Sequence, residues 1–85
     1  MAAYELVLHE DAARRLVAAS RAEQRRVGMI LERLKSAPSR AGDLQEHDKN
    51  GRINEVVVDG DWLVTFWVDH AGREIRVMRI ESAED

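Results

Sequence analysis

Residues 53–80, INEVVVDGDWLVTFWVDHAGREIRVMRI, decide the fold because they contain three β-strand patterns separated by two turn signals. The strand patterns cover residues 53–58, 62–68 and 74–80. Gly60 lies in the first turn, Asp-Gly-Asp, where it is free to adopt the positive φ of a tight hairpin. The middle strand is apolar on both faces, which is typical of a central strand. We therefore predict an antiparallel three-stranded meander.

Period-two alternation assigns the aromatic side chains of the middle strand to two faces. Trp62 and Phe66 share one face, and Trp67 points to the other. One face must pack on the helices. A tryptophan on the other face would be an anchor for a partner protein or a platform for base stacking. Burial of both tryptophans is the alternative interpretation.

The same alternation separates side chains of the last strand. It predicts Ile75 and Val77 on one face and Ile80 on the other. Arg76 and Arg79 are three positions apart, so a regular strand points them to opposite faces. Only a bulge would bring both arginines to one site.

Upstream of the meander, the sequence predicts a short strand and a first helix. Residues 4–9 alternate around Tyr4, Leu6 and Leu8, which is typical of a strand with one buried face. A helix then opens at Glu10-Asp11, because acidic side chains are favourable at the positive end of the helix dipole.

A second helix follows directly. Residues 20–23, Ser-Arg-Ala-Glu, match the capping box, so this helix should begin at Arg21. Its apolar stripe has helical spacing and is formed by Val27, Ile30, Leu31 and Leu34. Pro38 ends the helix. The two helices together form a helical hairpin.

Two segments lack a regular pattern. Residues 38–52 are polar and predict a loop that is long for a compact domain, and such loops are often functional. Residues 81–85, Glu-Ser-Ala-Glu-Asp, predict a frayed tail.

These elements give an α+β domain with the order β-α-α-β-β-β over residues 1–85. We expect an antiparallel sheet with the helical hairpin packed on one face. The first strand should lie at a sheet edge or beside the last strand.

Composition limits the classes of function. The chain has 85 residues, no cysteine and a net charge of −3. Residues 1–40 carry 8 Lys/Arg and 5 Asp/Glu, whereas residues 41–85 carry 5 and 11. An acidic chain does not bind nucleic acid by bulk attraction, so any such contact needs a local basic surface. We expect a cytoplasmic protein without disulfides, signal peptide or membrane partner.

The second half resembles the RelE/ParE superfamily of type II toxin–antitoxin toxins. The matching positions share the pattern G-R, E-V, G, W-x-D-H-A and E-x-R-V, and they are Gly51-Arg52, Glu55-Val56, Gly60, residues 67–71 and residues 74–77. The first half matches in element order only.

The resemblance implies a small toxin that is neutralised by a cognate antitoxin. Members of the RelE branch cleave mRNA on the ribosome without metal or other cofactor, and members of the ParE branch inhibit DNA gyrase. A RelE-type mechanism would assign phosphate binding to Arg52, Arg76 or Arg79 and proton transfer to His70 or His47. Alternatively, the arginines balance glutamates across the strands, and the histidines make turn hydrogen bonds.

Two positions depart from the ribonucleolytic pattern. Trp62 occupies a place where such toxins have an arginine, and the tail at 81–85 is acidic where they have basic and aromatic residues. Because carboxylates repel phosphate, both departures favour a protein-binding module without catalysis. An unrelated small α+β interaction domain is a third interpretation.

A partner surface is predicted on the helices. Arg25, Arg26 and Arg33 belong to a basic group on the helical hairpin, which could bind an acidic antitoxin, the ribosome or DNA. Trp62 is the aromatic candidate for the partner-binding surface. The alternative is that these arginines are solvated side chains with local ion pairs.

Overall fold

In the computed structural model, the predicted three-stranded meander is the centre of a larger sheet, with one further strand added at each edge. The structure describes residues 3–39 and 41–85. In chain order, its elements are β1 (Glu5–Leu8), α1 (Glu10–Ala18), α2 (Arg21–Ser36), β2 (Leu44–His47), β3 (Ile53–Asp59), β4 (Trp62–Asp69) and β5 (Glu74–Ser82).

The described strands form a five-stranded sheet in the order β1-β5-β4-β3-β2. All neighbours are antiparallel except β1 and β5, which are parallel, so the α+β class and the antiparallel meander are confirmed and the whole sheet is mixed rather than antiparallel. The connection from β1 to β5 runs through the helical hairpin and three further strands, and such a long connection permits a parallel pair that a tight turn would forbid. β1 lies both at an edge and beside the last strand, as expected.

β2 lies within the segment predicted to be a loop. Its four residues, Leu-Gln-Glu-His, are mostly exposed and show no apolar alternation, so only pairing with β3 defines the strand. The preceding backbone continues this pairing, since the amide of Asp43 donates to the carbonyl of Val56 at 2.8 Å. A Cβ at Gly42 would lie 2.8 Å from backbone atoms of Val56, which explains the glycine. Arg40, also in the predicted loop, lies outside the described residues.

The helix starts follow the sequence signals. The Ser20 hydroxyl accepts from the Glu23 amide at 3.2 Å, and the Glu23 carboxylate accepts from the Ser20 amide at 2.8 Å. The capping box is therefore confirmed, and α2 begins at Arg21. The Ser20 amide also holds the pKa of Glu23 below its ordinary value. Glu10 and Asp11 occupy the first turn of α1.

The helices cover one face of the sheet. The buried core joins the α2 stripe and Ala12 of α1 to one set of strand side chains, which comprises Trp62, Val64, Phe66, Ile75, Val77 and Ile80. We call this face the helix side. The other face, here the open face, carries the alternate side chains of the strands, among them Leu44, Glu46, Asn54, Val56, Val58, Leu63, Thr65, Trp67, Arg76 and Arg79.

A bulge in β5 changes the faces of its last residues. Thr65 pairs with Arg79 whereas Phe66 pairs with Val77, so one extra residue, Met78, lies between the two partners. The prediction that Ile80 opposes Val77 is wrong, because the bulge turns Ile80 into the core, where it is 3% exposed.

Candidate functional site

The bulge brings two predicted site residues to one face. Arg76 pairs with Trp67 and Arg79 with Thr65, and both partners lie on the open face. A regular strand would have separated the two arginines. Arg52, just before β3, has the same alternation phase as Asn54 and also reaches this face. The three arginines predicted to bind phosphate therefore share the open face.

Trp67 lies at the centre of this group. The guanidinium carbon of Arg52 is 4.1 Å from the centroid of the Trp67 ring, and that of Arg76 is 5.5 Å away. Both distances are in the range of cation–π attraction. Exposed Arg52 and partly buried Arg76 thus pack on a single indole.

Three polar atoms beside the indole are buried without a hydrogen-bond partner among the described residues. They are Asn54 Oδ1, Trp67 Nε1 and Arg76 Nε. Arg76 is the direct cross-strand partner of Trp67, and continuation of the β3–β4 register places Asn54 on its other side. Asn54 is only 4% exposed. Because unpaired buried polar atoms are costly, this row of two donors and one acceptor is a candidate recognition site.

Carboxylates neutralise two of the arginines. Oε1 of Glu74 lies 2.7 Å from Nη2 of Arg76. Arg79 is bound by Glu46 at 2.7 Å and by Glu81 at 3.0 Å. The hydrogen bond to Glu81, followed by that to Glu46, raises the pKa of Arg79 above its ordinary value, although partial burial opposes them. These arginines are therefore already occupied by anions of the protein itself.

The predicted histidines lie away from the arginine cluster. His47 of β2 pairs with Ile53, on the helix side of the sheet. His70 Nδ1 lies 2.8 Å from the hydroxyl of Tyr4, and their rings meet edge to face. His70 and Arg52 do line one cleft of about 370 Å³. The strand residues Ile53, Glu55 and Val68, which also line this cleft, belong to the helix side, so His70 does not face the open-face arginines.

The prediction that Trp62 is a partner-binding anchor is wrong, because its side chain is in the core. Trp62 is 7% exposed and has the guanidinium of Arg15 at 5.1 Å from its ring centroid. Trp67 and Asn54, which sequence reasoning did not select, occupy the open face instead. The sequence does contain a signal for Trp67: along the strand, alternation points its side chain to the face opposite Trp62 and Phe66.

The predicted basic surface on α2 is partly used inside the protein. Arg26 and Arg33 both bind the carboxylate of Asp59 at the end of β3. Their guanidinium groups therefore connect the helix to the β3–β4 hairpin. Arg25 is exposed and has no ion pair within the described part of the chain.

The described residues also bear on metal binding and on membrane spanning. Within residues 3–39 and 41–85, no group of three or more acidic or histidine side chains has a metal-binding arrangement. None of the described helices combines the length and apolarity that a membrane span requires.

The geometry defines an α+β domain, with a helical hairpin on one face of a five-stranded mixed sheet. No protein-family model matches the sequence, and no curated protein has significant sequence similarity to it. Solved structures do match the fold. A chain of the toxin–antitoxin complex RelBE2 from Mycobacterium tuberculosis aligns with a TM-score of 0.70 and 15% identity, covering 95% of this chain and 99% of that chain. A chain of the archaeal RelE–RelB complex from Pyrococcus horikoshii aligns with a TM-score of 0.69 and 17% identity, covering 95% and 96%.

Proposed function

We propose that this chain is the toxin of a type II toxin–antitoxin pair, that it acts in the cytoplasm and that a cognate antitoxin is its main partner. The observation that carries the proposal is the RelE-like fold along nearly the whole chain, with one sheet face left free. Both solved structures described above are toxin–antitoxin complexes.

The charges of the open face favour action through protein binding. Stabilising a phosphate transition state needs cations aimed at the developing charge. Here Arg76 and Arg79 face carboxylates of the same surface, and these carboxylates would repel a phosphate. Binding to a protein target such as DNA gyrase, or only to the antitoxin, has no such requirement.

A metal-independent, ribosome-dependent mRNA endonuclease is the second candidate function. The observation that favours it is the β5 bulge, which places Arg76 and Arg79 on the same face as Arg52. In this mechanism Arg52 would bind phosphate, because it lacks a carboxylate partner among the described residues. His70 would be the candidate for proton transfer, as the resemblance implies.

Induced expression in a bacterial host, with and without the gene encoded beside this one, tests the proposal. Growth arrest that the neighbouring gene relieves is the expected result. Uninhibited growth after confirmed expression of folded protein would contradict it.

The same cultures separate the two candidate functions. Arrest with intact mRNA is expected for action through protein binding, whether or not the triple variant Arg52→Ala, Arg76→Ala and Arg79→Ala still arrests growth. Loss of full-length mRNA that the triple variant abolishes would identify the endonuclease. Lys35→Ala is the control, since Lys35 is an exposed cation on α2, on the helix side of the sheet.

A further inference from the structure

We infer that the open face binds an extended segment of the antitoxin, and that this segment places a carboxylate side chain on Arg52 beside the indole of Trp67. The inference rests on the proposed function, since it names the surface and the chemistry by which the partner is recognised. It is drawn from the charges, the unpaired polar atoms and the exposed apolar side chains of this face.

Arg52 is the open-face arginine that makes no ion pair with the described residues. Arg76 is paired with Glu74, and Arg79 with two glutamates. Arg52 is exposed and has no carboxylate within ion-pair distance in the described part of the chain; its guanidinium rests on Trp67 at 4.1 Å. A carboxylate from a partner would make a charge-assisted hydrogen bond with this guanidinium.

The unpaired atoms beside Arg52 suit a peptide group. Trp67 Nε1 and Arg76 Nε are donors, and Asn54 Oδ1 is an acceptor. A peptide unit offers a carbonyl to the donors and an N–H to the acceptor. The three atoms are buried, so the Arg52 side chain that covers the indole must shift when they are engaged. An incoming carboxylate supplies the attraction for this shift.

Apolar contacts extend the site along the sheet. Leu44 is 56% exposed and Val58 is 43% exposed, and both lie on the open face. Leu44 pairs with Val56, which is two residues before Val58 on β3. Side chains on one face of a strand repeat about every 7 Å, so an extended segment could contact Arg52 and this apolar group together.

The charge balance favours this peptide over a nucleic acid strand. Successive phosphates would approach Glu46, Glu74 and Glu81 as well as the arginines. The three arginines and three glutamates cancel, so the face provides no excess of cations for a polyanion. A peptide with a single carboxylate among apolar residues matches Arg52, the open-face arginine that has no ion pair within the described residues.

Selection of short random peptides displayed on phage against the purified, immobilised full chain tests the inference. The expected peptides carry an Asp or Glu flanked by apolar residues. Synthetic versions should bind Arg52→Glu and Arg52→Gln about tenfold or more weakly than the unaltered chain. They should bind Lys35→Glu, a matched charge reversal on the helix side, with unchanged affinity. Circular dichroism establishes that each variant is folded.

Three results would overturn the inference. They are the absence of selected peptides, selected peptides without a carboxylate, and equal binding to the Arg52 variants. Short single-stranded polyuridine that binds more tightly than the peptides, and depends on Arg52, would assign the face to nucleic acid instead. Failure of the peptide selection with a chain that arrests growth refutes only this inference. Successful selection with a chain that does not arrest growth refutes only the toxin function.

Discussion

At the residue scale, Asp59 is the side chain that joins the two layers by charge. Its side chain is 18% exposed and binds Arg26 and Arg33, which lie about two turns apart on α2. Each arginine is about half exposed or more, so water screens each pair and neither pair alone contributes much. A shared carboxylate that fixes two guanidinium groups nevertheless orients the helix over the β3–β4 hairpin.

We expect Asp59→Asn to lower the free energy of unfolding by about 1 kcal/mol, because both ion pairs lose their charge. Urea denaturation near neutral pH measures the change. Asp61→Asn is the matched control, since Asp61 is exposed in the same turn and its side chain has no polar contact with the described residues. Equal destabilisation by the two variants would contradict the role given to Asp59.

Individual residues show what local rules could predict at the candidate site. Alternation placed Trp62 and Phe66 on one face and Trp67 on the other, and this is the observed arrangement. Alternation does not decide which face the helices cover, which is why the prediction of Trp62 as the exposed anchor is wrong. It also misplaced Ile80 and left Arg76 and Arg79 apart, because the bulge between Val77 and Arg79 depends on pairing with β4.

At the scale of the element, local signals fixed α2 and failed for β2. The capping box and apolar stripe of α2 involve residues within a few positions of one another, so the sequence contains the whole signal. β2 is an exposed edge strand whose polar residues pair with β3 across a turn. Its strand conformation comes from this pairing, which residue preferences in the segment do not reveal.

The α2 capping box provides a stability prediction. Ser20→Ala should lower the free energy of unfolding at neutral pH by about 1 kcal/mol, because the Glu23 amide loses its acceptor. Urea denaturation checks this value. Ser39→Ala, at an exposed position without a hydrogen bond among the described residues, should leave stability unchanged. Identical midpoints for the two variants would argue against a stabilising capping box.

At the scale of the whole molecule, the last residues close the structure on themselves. The tail predicted to be frayed is instead anchored: the Ala83 amide donates to the Asp61 carbonyl at 2.6 Å, and Asp85 receives two hydrogen bonds from Arg15 at 3.0 Å. Arg15 also lies against Trp62. The contact joins α1 to the residues that follow β5, two segments far apart in sequence. The composition of residues 81–85 alone therefore could not predict that the tail is anchored.

The tail contact should depend on pH. The hydrogen bond from Arg15, and next the one from the Ser82 amide, lowers the pKa of Asp85. A lowered folded-state pKa gives a stabilising contribution that is present above the ordinary aspartate pKa, about 3.9, and is lost as the pH falls through the lowered value. Backbone ¹⁵N relaxation at residues 83–85 should therefore show rigid amides near neutral pH and growing flexibility as the pH falls below the ordinary aspartate pKa.

A substitution reproduces the release of the tail without acid. Asp85→Asn should make residues 83–85 flexible near neutral pH. Glu84→Gln should not, because the Glu84 side chain is exposed and makes no polar contact with the described residues. A tail that stays equally rigid in Asp85→Asn would show that the carboxylate does not hold it.

The global arrangement gives each tryptophan its own face: Trp62 lies under the helices and Trp67 on the open side. The two indole N–H signals in a ¹⁵N–¹H spectrum therefore report on the two sides of the sheet, and Trp67→Phe assigns them. When the protein encoded by the neighbouring gene is added, we predict a large shift of the Trp67 signal and little change in that of Trp62. A complex that shifts the Trp62 signal and leaves the Trp67 signal unchanged would place the partner on the helices. It would contradict the assignment of the open face as the partner-binding surface.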